Sequence, residues 1–483
     1  MNLNISYPLS FAGLLLLSLV ATPGSDSFAG PLKDYVDEPD SNYSFSLARE
    51  VVGSGYTRYV LDLTAQSWKE GEVTPHLWKH WVTIIRPDNV AFDSALLVIS
   101  GGNNNHDKIP NDPDEIMVTI AKQTRSVVVE LQGIPNEPVQ FSDETETRNE
   151  DAIIAYSYDK FMTTGDPTWP LLVPMVKSTV RAMDAVQKFM DEQASKRQVL
   201  ESFVLVGASK RGWTTWLTAA IDDRVKAIAP LVIDMLNLDE QMAQTMEYYG
   251  RYTEATQDYT QFGIQDKINT AEGQALLKIV DPFEYRDALT MPKLVMLGAG
   301  DQYWTVDSAN LYFQELKGPK YIRYEPNADH GIDSSMPSIT ALANFYYSVI
   351  NGNALPDFDW EFKKNGSFEV TAQTRPKQVR LWTATAPTMD FRLKTIGGAW
   401  KSSPVPNSGE NVYAGNVPVP EEGFTAYFVE MIYPGPLGMD YSLTTLIGIP
   451  GKEVVGEEQS MGIALLLLPI VLLLGGVVWM IRR

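Results

Sequence analysis

Short, continuous apolar runs alternate with longer stretches of helical periodicity through the middle of this 483-residue chain. An apolar run bounded by turns is typical of a strand that is buried on both faces of a sheet, and the stretches between the runs place apolar residues at helical spacing. The runs begin at Ser94, Ser126, Phe203, Val225, Lys293 and Tyr321. Strands that alternate with helices in this way predict a mostly parallel, doubly wound α/β sheet.

Two regions depart from this alternation. Residues 235–287 form a polar, aromatic insertion after one of the apolar runs, and its place at a strand end predicts a helical cap over a site. From residue 357 onwards, short alternating segments replace the helical periodicity, which is typical of a small β-sandwich over residues 357–449. Residues 450–462 then indicate a linker.

Both ends of the chain carry apolar segments. Residues 1–29 hold a short apolar run and then small residues, which is typical of a secretory signal peptide cleaved after Ala29, although its start carries no Lys or Arg and leaves an uncleaved anchor open. Residues 463–481 carry no charge and, at about 1.5 Å per residue, are long enough to cross a bilayer core. Arg482 and Arg483 follow. We expect export, with a carboxy-terminal transmembrane helix that holds the folded domains outside the cytoplasm; a tail removed after export is the alternative.

The composition excludes several classes of function. The formal net charge of −21 disfavours nucleic-acid binding, because such a surface repels phosphate. The chain has no cysteine, so thiolate nucleophiles, disulfides and cysteine-ligated metals are excluded. His76 and His80 are four residues apart, but this segment runs into a strand pattern, which argues against a helical metal pair. We predict neither a metal nor a cofactor.

A serine follows the apolar run that begins at Phe203. Gly207-Ala208-Ser209 leads directly into a predicted helix, and a serine on such a sharp strand-to-helix turn is exposed at the top of a sheet. The usual G-x-S-x-G pattern would place its second glycine at position 211, whereas here it is Gly212. The local motif therefore needs support from the rest of the chain.

That support comes from an acid and a histidine further along. Asp301 follows the next-to-last predicted strand and His330 follows the last, so the order Ser209, Asp301, His330 is that of an α/β-hydrolase. In this hypothesis Ser209 attacks a carbonyl, His330 accepts its proton and Asp301 fixes the imidazole tautomer. Asp234, at the end of another apolar run, is an alternative acid. We therefore expect an α/β-hydrolase-like domain over residues 30–350.

Other residues are candidates for oxyanion and substrate binding. The backbone N–H of Lys210, together with that of Gly102 or Asn103 in the glycine loop after an early strand, is expected to stabilise a tetrahedral oxyanion. Tyr303 and Trp304 directly follow Asp301 and are candidates for lining a pocket.

Several motifs together resemble the PhoPQ-activated pathogenicity-related family, which includes autocrine proliferation repressor-like proteins. They are LKDYVDEP from Leu32, YVLDLTAQSW from Tyr59, WKHW from Trp78, ISGG from Ile99, GDPTWP from Gly165, GASKRGW from Gly207 and Asp281-Pro282. The resemblance covers about residues 32–435 and implies an exported α/β-hydrolase-like protein associated with PhoPQ-regulated virulence. The Gly-x-Ser-Lys-x-Gly turn is also similar to that of carbohydrate esterases, in which a basic residue at the position of Lys210 helps to hold the oxyanion.

Three functions remain open at this point. The first is a serine esterase that acts on a small-molecule, envelope or extracellular ester. The second is a non-catalytic secreted or surface binding protein on a hydrolase fold. The third is a peptidase, since a cap could admit an extended chain.

Overall fold

A mixed sheet of 13 strands organises the protein, whose computed structural model describes residues 30–111, 114–332 and 334–452. Together with those of two three-stranded sheets, the strands of the described residues are β1 (Ser44–Gly53), β2 (Tyr56–Ser67), β3 (Val73–Thr74), β4 (Leu77–Pro87), β5 (Ser94–Ile99), β6 (Val127–Leu131), β7 (Val139–Phe141), β8 (Thr147–Arg148), β9 (Ser202–Ala208), β10 (Val225–Leu231), β11 (Lys293–Gly298), β12 (Lys320–Glu325), β13 (Phe358–Phe362), β14 (Ser367–Ala372), β15 (Gln378–Ala386), β16 (Lys401–Pro404), β17 (Val412–Asn416), β18 (Phe424–Pro434) and β19 (Asp440–Thr444).

The helices connect and cover these strands. They are α1 (Pro31–Asp37), α2 (Glu115–Thr124), α3 (Asp151–Thr164), α4 (Leu172–Glu192), α5 (Lys210–Ile221), α6 (Leu238–Tyr249), α7 (Gln257–Gln261), α8 (Ile264–Lys267), α9 (Ala271–Val280), α10 (Met336–Asn351) and α11 (Leu393–Ile396). Short 3₁₀ turns occupy Glu254–Thr256, Pro282–Tyr285, Ser308–Leu311 and Phe313–Glu315.

The centre of the large sheet is parallel. Its strand order is β1-β2-β4-β6-β5-β9-β10-β11-β12-β19-β18-β15-β16, and the neighbours from β6 to β12 pair in parallel. These strands are the continuous apolar runs of the sequence, because helices cover both of their faces. The carboxyl ends of parallel strands meet at one edge of a sheet, which is where ligands bind in open α/β sheets.

Two hydrophobic cores lie on opposite faces of this sheet. Ile153 of α3, Val176 of α4 and Trp216 of α5 pack into one of them. Val118 of α2 and Phe345 of α10 pack into the other. The α/β class expected from the sequence therefore describes the centre of the molecule. Helices α6 to α9 lie within the insertion between β10 and β11, and α3 contacts α7, α8 and α9.

The carboxy-terminal strands correct the expected fold class. Strand β19 pairs antiparallel with β12 at Ile322 and Thr444, so β19, β18, β15 and β16 extend the hydrolase-like sheet instead of starting a separate one. Strands β13, β14 and β17 form a small sheet that packs on the extension, with the Phe362 and Tyr427 ring centroids 4.9 Å apart. The two layers expected for a β-sandwich are present, but one of them is continuous with the central sheet.

The expected transmembrane helix is also corrected. No helix of the described residues is both long and apolar enough to cross a membrane. Residues 463–481, to which that prediction applies, lie outside the described residues, as do residues 1–29 of the predicted signal peptide. The α/β fold of the described residues therefore includes no transmembrane helix, and we do not propose membrane attachment through one.

Candidate active site

Ser209 occupies a strained turn between β9 and α5. Its backbone has φ 57° and ψ −128°, a conformation that residues other than glycine rarely adopt and that clusters at functional sites. Backbone hydrogen bonds fix the turn, since the Ser209 N–H donates to the Leu231 carbonyl at 2.9 Å and the Trp213 N–H donates to the Ser209 carbonyl at 3.0 Å. The hydroxyl does not cap the helix that follows. The turn thus has the shape of a nucleophile elbow.

The glycines of the turn are required by close backbone contacts. A Cβ on Gly207 would lie 2.5 Å from the Arg211 carbonyl oxygen. A Cβ on Gly212 would lie 2.7 Å from Cγ2 of Ile233 and 2.9 Å from the Gly207 carbonyl oxygen. After the serine, the position that must be small is therefore 212 and not 211. This explains why the motif departs from the usual spacing and why Arg211 is tolerated.

Asp301 and His330 meet at the same edge of the sheet. Nδ1 of His330 lies 2.7 Å from Oδ2 of Asp301, and the other carboxylate oxygen accepts a hydrogen bond from the Tyr303 N–H at 2.9 Å. The loops that carry the two residues touch, because a Cβ on Gly298 would lie 2.1 Å from the Asp329 carbonyl oxygen. A histidine that donates from Nδ1 to a carboxylate presents Nε2 as its proton acceptor.

Ser209 and His330 line the same two cavities. Nε2 of His330 is buried and has no hydrogen-bond partner among the described residues, so it makes no hydrogen bond with the serine hydroxyl. The structure therefore brings serine, histidine and aspartate to one site, and hydrogen-bonds only the last two. Catalytic hydrogen bonds are often long without a ligand and tighten when substrate binds.

The alternative acid, Asp234, has a different partner. It is buried and accepts a hydrogen bond from the Tyr312 hydroxyl at 2.7 Å. Burial raises the pKa of this carboxyl to about 8. Asp301, and not Asp234, contacts His330.

The expected oxyanion donors are only partly brought together. Lys210 begins α5 directly after the serine and lines one of the two cavities. Gly102 and Asn103 line neither cavity, whereas the preceding Ser100 and Gly101 line one of them. The glycine loop thus approaches the serine through residues slightly earlier in the chain than the sequence predicts.

A partly buried charge cluster supports the elbow. Lys210 donates to Glu150, and its Nζ lies 3.2 Å from Oδ1 of Asp151. Arg211 binds Glu150 in a bidentate manner at 3.0 and 2.7 Å, and the Glu150 N–H donates to Glu137 at 2.5 Å. The Lys210 side chain is therefore held by acids, which leaves its backbone N–H as the candidate oxyanion donor.

The two glutamates of the cluster have opposite pKa shifts. Burial raises the pKa of Glu137 to about 7. Burial also opposes ionisation of Glu150, but the hydrogen bond from Arg211 and the charge of Lys210 outweigh it, so the pKa of Glu150 lies well below its usual value. Sequence analysis missed both glutamates. Two consecutive basic residues after the elbow indicate that acidic partners are needed. The sequence does not show which acids these are, because the two glutamates lie far from the elbow along the chain.

One cavity, the cap pocket, lies between the elbow and helices α6 to α9. It encloses about 700 Å³ of space, its mouth included. Tyr303 and Trp304 line it, and Trp213 of α5 lines it as well. The other lining residues are Asp151, Tyr158, Ser209, Lys210, Ile233, Leu238, Met242, Thr256, Tyr259, Ile264, Gln265, Ile268, Leu276 and His330.

The other cavity, called the second cavity, reaches Ser209 and His330 from the side of α2 and α10. It spans about 1380 Å³, its open mouth included, and its lining combines apolar residues such as Met117 and Leu342 with the acidic residues Glu130 and Asp114. Burial raises the pKa of Glu130. Two cavities that share the serine and the histidine can accommodate the two halves of a substrate that is cleaved between them.

The histidine pair considered as a metal site makes other contacts. His80 is buried between the Gln132 carbonyl and the Ser178 hydroxyl, and burial lowers its pKa to about 4. His76 bonds to the Ser67 hydroxyl at 2.9 Å. Within the described ranges, no group of three or more His, Asp or Glu side chains is arranged to hold a metal ion.

Comparisons with known proteins identify relatives over most of the chain. Residues 32–392 match the family described as PhoPQ-activated pathogenicity-related protein. Autocrine proliferation repressor protein A of Dictyostelium discoideum is 33% identical over 443 residues, which cover 87% of this chain and 88% of that protein.

Solved structures of low sequence identity also match. Acetyl xylan esterase 1 from Thermoanaerobacterium sp. JW/SL YS485 has a TM-score of 0.46 and 16% identity, covering 66% of this chain and 92% of that chain. An S-formylglutathione hydrolase from Agrobacterium tumefaciens has a TM-score of 0.38 and 12% identity, covering 63% and 99%. At these scores the likeness carries no argument about the substrate of this chain.

The family match spans every residue of the candidate site. Ser209, Asp301 and His330 lie within residues 32–392, as do the cap and the charge cluster. Together with the curated relative, this match confirms the resemblance expected from the sequence motifs. The chain belongs to the PhoPQ-activated pathogenicity-related protein family.

Proposed function

We propose that this protein is a serine esterase in which Ser209, His330 and Asp301 act as a catalytic triad. The observation that carries the proposal is the strained elbow at Ser209, facing the same two cavities as a histidine whose Nδ1 is bonded to a buried aspartate. A non-glycine residue held at positive φ is costly and persists where the surrounding structure fixes it for a function.

The proposed reaction proceeds in two steps. Oγ of Ser209 attacks the ester carbonyl while its proton passes to Nε2 of His330, and the bond from the carbonyl carbon to the alcohol oxygen then breaks as that oxygen receives the proton. Water attacks the acyl-serine in the same way, returns a proton to Ser209 through His330 and releases the acid.

The protein's own groups stabilise the charges that develop. The Asp301 carboxylate faces the imidazolium formed on His330. The Lys210 N–H, at the start of α5, is the proposed oxyanion donor, with a second donor from the loop at Ser100 and Gly101. Removing one such donor typically costs about 3–4 kcal/mol in the transition state.

A fluorophosphonate probe tests the proposal directly, because it labels an activated serine. The purified protein is expected to be labelled, and Ser209→Ala is expected to abolish labelling. Ser403→Ala, which changes an exposed serine on β16, serves as the control and is expected to label normally. Labelling that persists in Ser209→Ala, or a wild-type protein that does not react, would contradict the proposal.

One observation favours a second candidate, a non-catalytic binding protein on the same fold. His330 makes no hydrogen bond with the serine hydroxyl. This alternative predicts that the Ser209→Ala, His330→Ala double variant retains the full biological effect of the protein, whereas the esterase proposal predicts its loss.

Export is also part of the proposal. It depends on the apolar segment within residues 1–29. Expression of the full chain followed by cell fractionation and sequencing of the mature amino terminus tests it; a product that retains residues 1–29 inside the cell would contradict it.

A further inference from the structure

Several aromatic side chains of the cap-pocket wall have their polar ends bonded to other protein groups. The indole N–H of Trp213 donates to the Val280 carbonyl. The hydroxyls of Tyr259 and Tyr303 donate to Asp151, at 3.3 and 3.4 Å. A side chain whose polar end is bonded in this way offers a ligand the carbon atoms of its ring. The aromatic part of the wall is therefore an apolar surface.

The other polar atoms of the wall offer a ligand no partner. Oη of Tyr158, Oε1 of Gln265 and Nε1 of Trp304 are buried within the wall and are not accessible from the space inside. The carboxylate of Asp151 is balanced by Nζ of Lys210 at 3.2 Å. A charged or hydroxyl group of a ligand would leave water here without gaining a partner, which opposes binding. The group that enters the cap pocket is therefore apolar.

Apolar side chains of the cap complete the pocket beside the reacting residues. Those from the insertion are Leu238, Met242, Ile264, Ile268 and Leu276. Ser209 and His330 line the same pocket, so a group held there is joined directly to the carbonyl that the serine attacks. Each methylene group that this surface removes from water adds to binding. The pocket thus suits a hydrocarbon chain next to the ester bond.

The cap pocket is much smaller than the second cavity. Once the mouths are left out, about 70 Å³ is free in the cap pocket and about 500 Å³ in the second cavity. An apolar protein cavity of about 150 Å³ admits benzene, which has six carbons, so about half that volume admits a chain of about three carbons. A chain of eight carbons is too long for the cap pocket.

The two cavities differ in the half of the ester that they suit. Glu130 and Asp114 line the second cavity together with apolar residues, so it accepts water and polar groups. In the first step the alcohol leaves, and water must then reach the acyl-serine while the acyl half stays in place. The larger and partly polar cavity suits both the departing alcohol and the incoming water. The acyl half therefore belongs in the cap pocket.

We propose that the protein hydrolyses esters of short, apolar carboxylic acids, whose acyl chain occupies the cap pocket with about three carbons beyond the carbonyl. The alcohol half lies in the second cavity and is not limited in length by the cap. This inference rests on the proposed esterase function and names its substrate class.

A series of acyl chains on one alcohol tests the proposal. We expect kcat/KM for 4-nitrophenyl butanoate to be at least about tenfold above that for the acetate and the octanoate, because acetate leaves the pocket empty and octanoate exceeds it. The 3-hydroxybutanoate has the same chain with one hydroxyl and is expected to react at least about tenfold more slowly than the butanoate. Equal or faster hydrolysis of the octanoate or of the 3-hydroxybutanoate would overturn the inference.

A series of alcohols on one acid tests which half of the ester the cap pocket holds. Methyl, butyl and octyl butanoate are expected to differ less than about tenfold in kcat/KM, since the second cavity does not limit the alcohol to a few carbons. A length limit that appears among the alcohols and not among the acyl chains would overturn the assignment of the acyl half.

Variants of Met242 connect the length limit to the cap pocket. Met242 lies on α6, lines the pocket and is only partly buried, so its side chain can be changed without opening the core. Met242→Trp narrows the pocket and is expected to lower kcat/KM for the butanoate about tenfold while the acetate changes little. Met242→Ala widens it and is expected to raise the octanoate relative to the butanoate.

Met246 supplies the matched controls for both variants. It lies on the same helix, is 42% exposed and does not line the cap pocket. Met246→Trp and Met246→Ala are expected to keep the wild-type dependence on chain length. A dependence that stays the same in both Met242 variants would contradict the pocket assignment.

Direct binding separates this inference from the proposed function. Saturation-transfer NMR with butanamide on the Ser209→Ala protein requires no catalysis, and the signal is expected to disappear when Met242→Trp is added. That result, in a protein whose wild type hydrolyses none of the esters, supports the pocket assignment and contradicts the esterase. Hydrolysis of the acetate, butanoate and octanoate at equal rates, without such a signal, contradicts the pocket assignment and supports the esterase.

Discussion

Single residues carry most of the chemistry that the sequence could predict. Ser209, Asp301 and His330 were predictable because the loops that follow parallel strands meet at one edge of a sheet, so order along the chain becomes proximity in space. Glu137 and Glu150 were not, since a salt bridge between the elbow and a distant loop leaves no periodic signal. The place of Tyr158 and Gln265 in the lining of the cap pocket was not predictable either, because tertiary packing alone brings them there.

The two candidate acids allow a sharp test at this scale. Asp301→Asn is expected to lower kcat about 10⁴-fold, because the amide no longer holds the tautomer of His330 that accepts a proton. Asp234→Asn is expected to change kcat less than about tenfold, since with a pKa of about 8 the Asp234 carboxyl is already largely neutral at pH 7. Steady-state kinetics of both variants on one ester decides which carboxyl is the functional acid. A larger loss of kcat in Asp234→Asn than in Asp301→Asn would make it Asp234.

Glu137 predicts a pH dependence of stability. Its pKa is about 7 in the folded protein against an ordinary value of 4.5, so between these pH values the folded state binds more protons than the unfolded state. The free energy of unfolding is therefore expected to fall as the pH rises from about 4.5 to 7. Glu137→Gln is expected to flatten this decrease in urea titrations at pH 5 and pH 7.5. If the free energy of unfolding of Glu137→Gln decreased between pH 5 and pH 7.5 as much as that of the wild type, other buried acids would account for the decrease.

Among the elements, the sequence predicts the buried parallel strands better than the strands at the two sides of the sheet. Continuous apolar runs identify β5, β6, β9, β10, β11 and β12, because burial on both faces forces their composition. The later strands alternate, and alternation fixes which face of a strand is buried without fixing which strand it pairs with. The join between β12 and β19 was invisible for that reason.

The strand-to-helix element around Ser209 depends on Gly212. Gly212→Ala is expected to lower the free energy of unfolding by about 1–3 kcal/mol, because the new methyl group would overlap Ile233 and the Gly207 carbonyl. Gly398→Ala is the control, since a Cβ there meets no atom closer than 3.9 Å. Urea unfolding measures both. Equal stabilities of the two variants would contradict the close packing of the elbow.

A threonine hydroxyl adds to the backbone pairing that joins β12 and β19. The buried Thr444 side chain accepts from the Tyr324 N–H at 3.2 Å and donates to the Ile322 carbonyl at 3.3 Å. Thr444→Val keeps the shape and removes both hydroxyl hydrogen bonds, which leaves the Tyr324 N–H without this partner, so it is expected to cost about 1–3 kcal/mol of stability. Thr385→Val, at an exposed position of β15, is expected to cost much less. A small effect of Thr444→Val would mean that other contacts maintain the join.

At the scale of the whole molecule, the continuous sheet predicts cooperative unfolding. One hydrophobic core contains Val118 of α2, Phe345 of α10, Val370 of β14 and Tyr427 of β18, so the early and late parts of the chain share buried surface. We expect urea unfolding curves from far-UV circular dichroism and tryptophan fluorescence to coincide. Two separated transitions would show that the carboxy-terminal strands unfold on their own.

The pairing of β19 with β12 also affects solubility. Without it, the outer edge of β12 would present unpaired backbone groups to other chains, which is a template for aggregation. The extension transfers that edge to β16, a short strand whose exposed residues include Lys401 and Pro404. Lysine and proline are residues with which natural sheets block edge-to-edge association. The carboxy-terminal strands therefore protect the central sheet against edge-to-edge polymerisation.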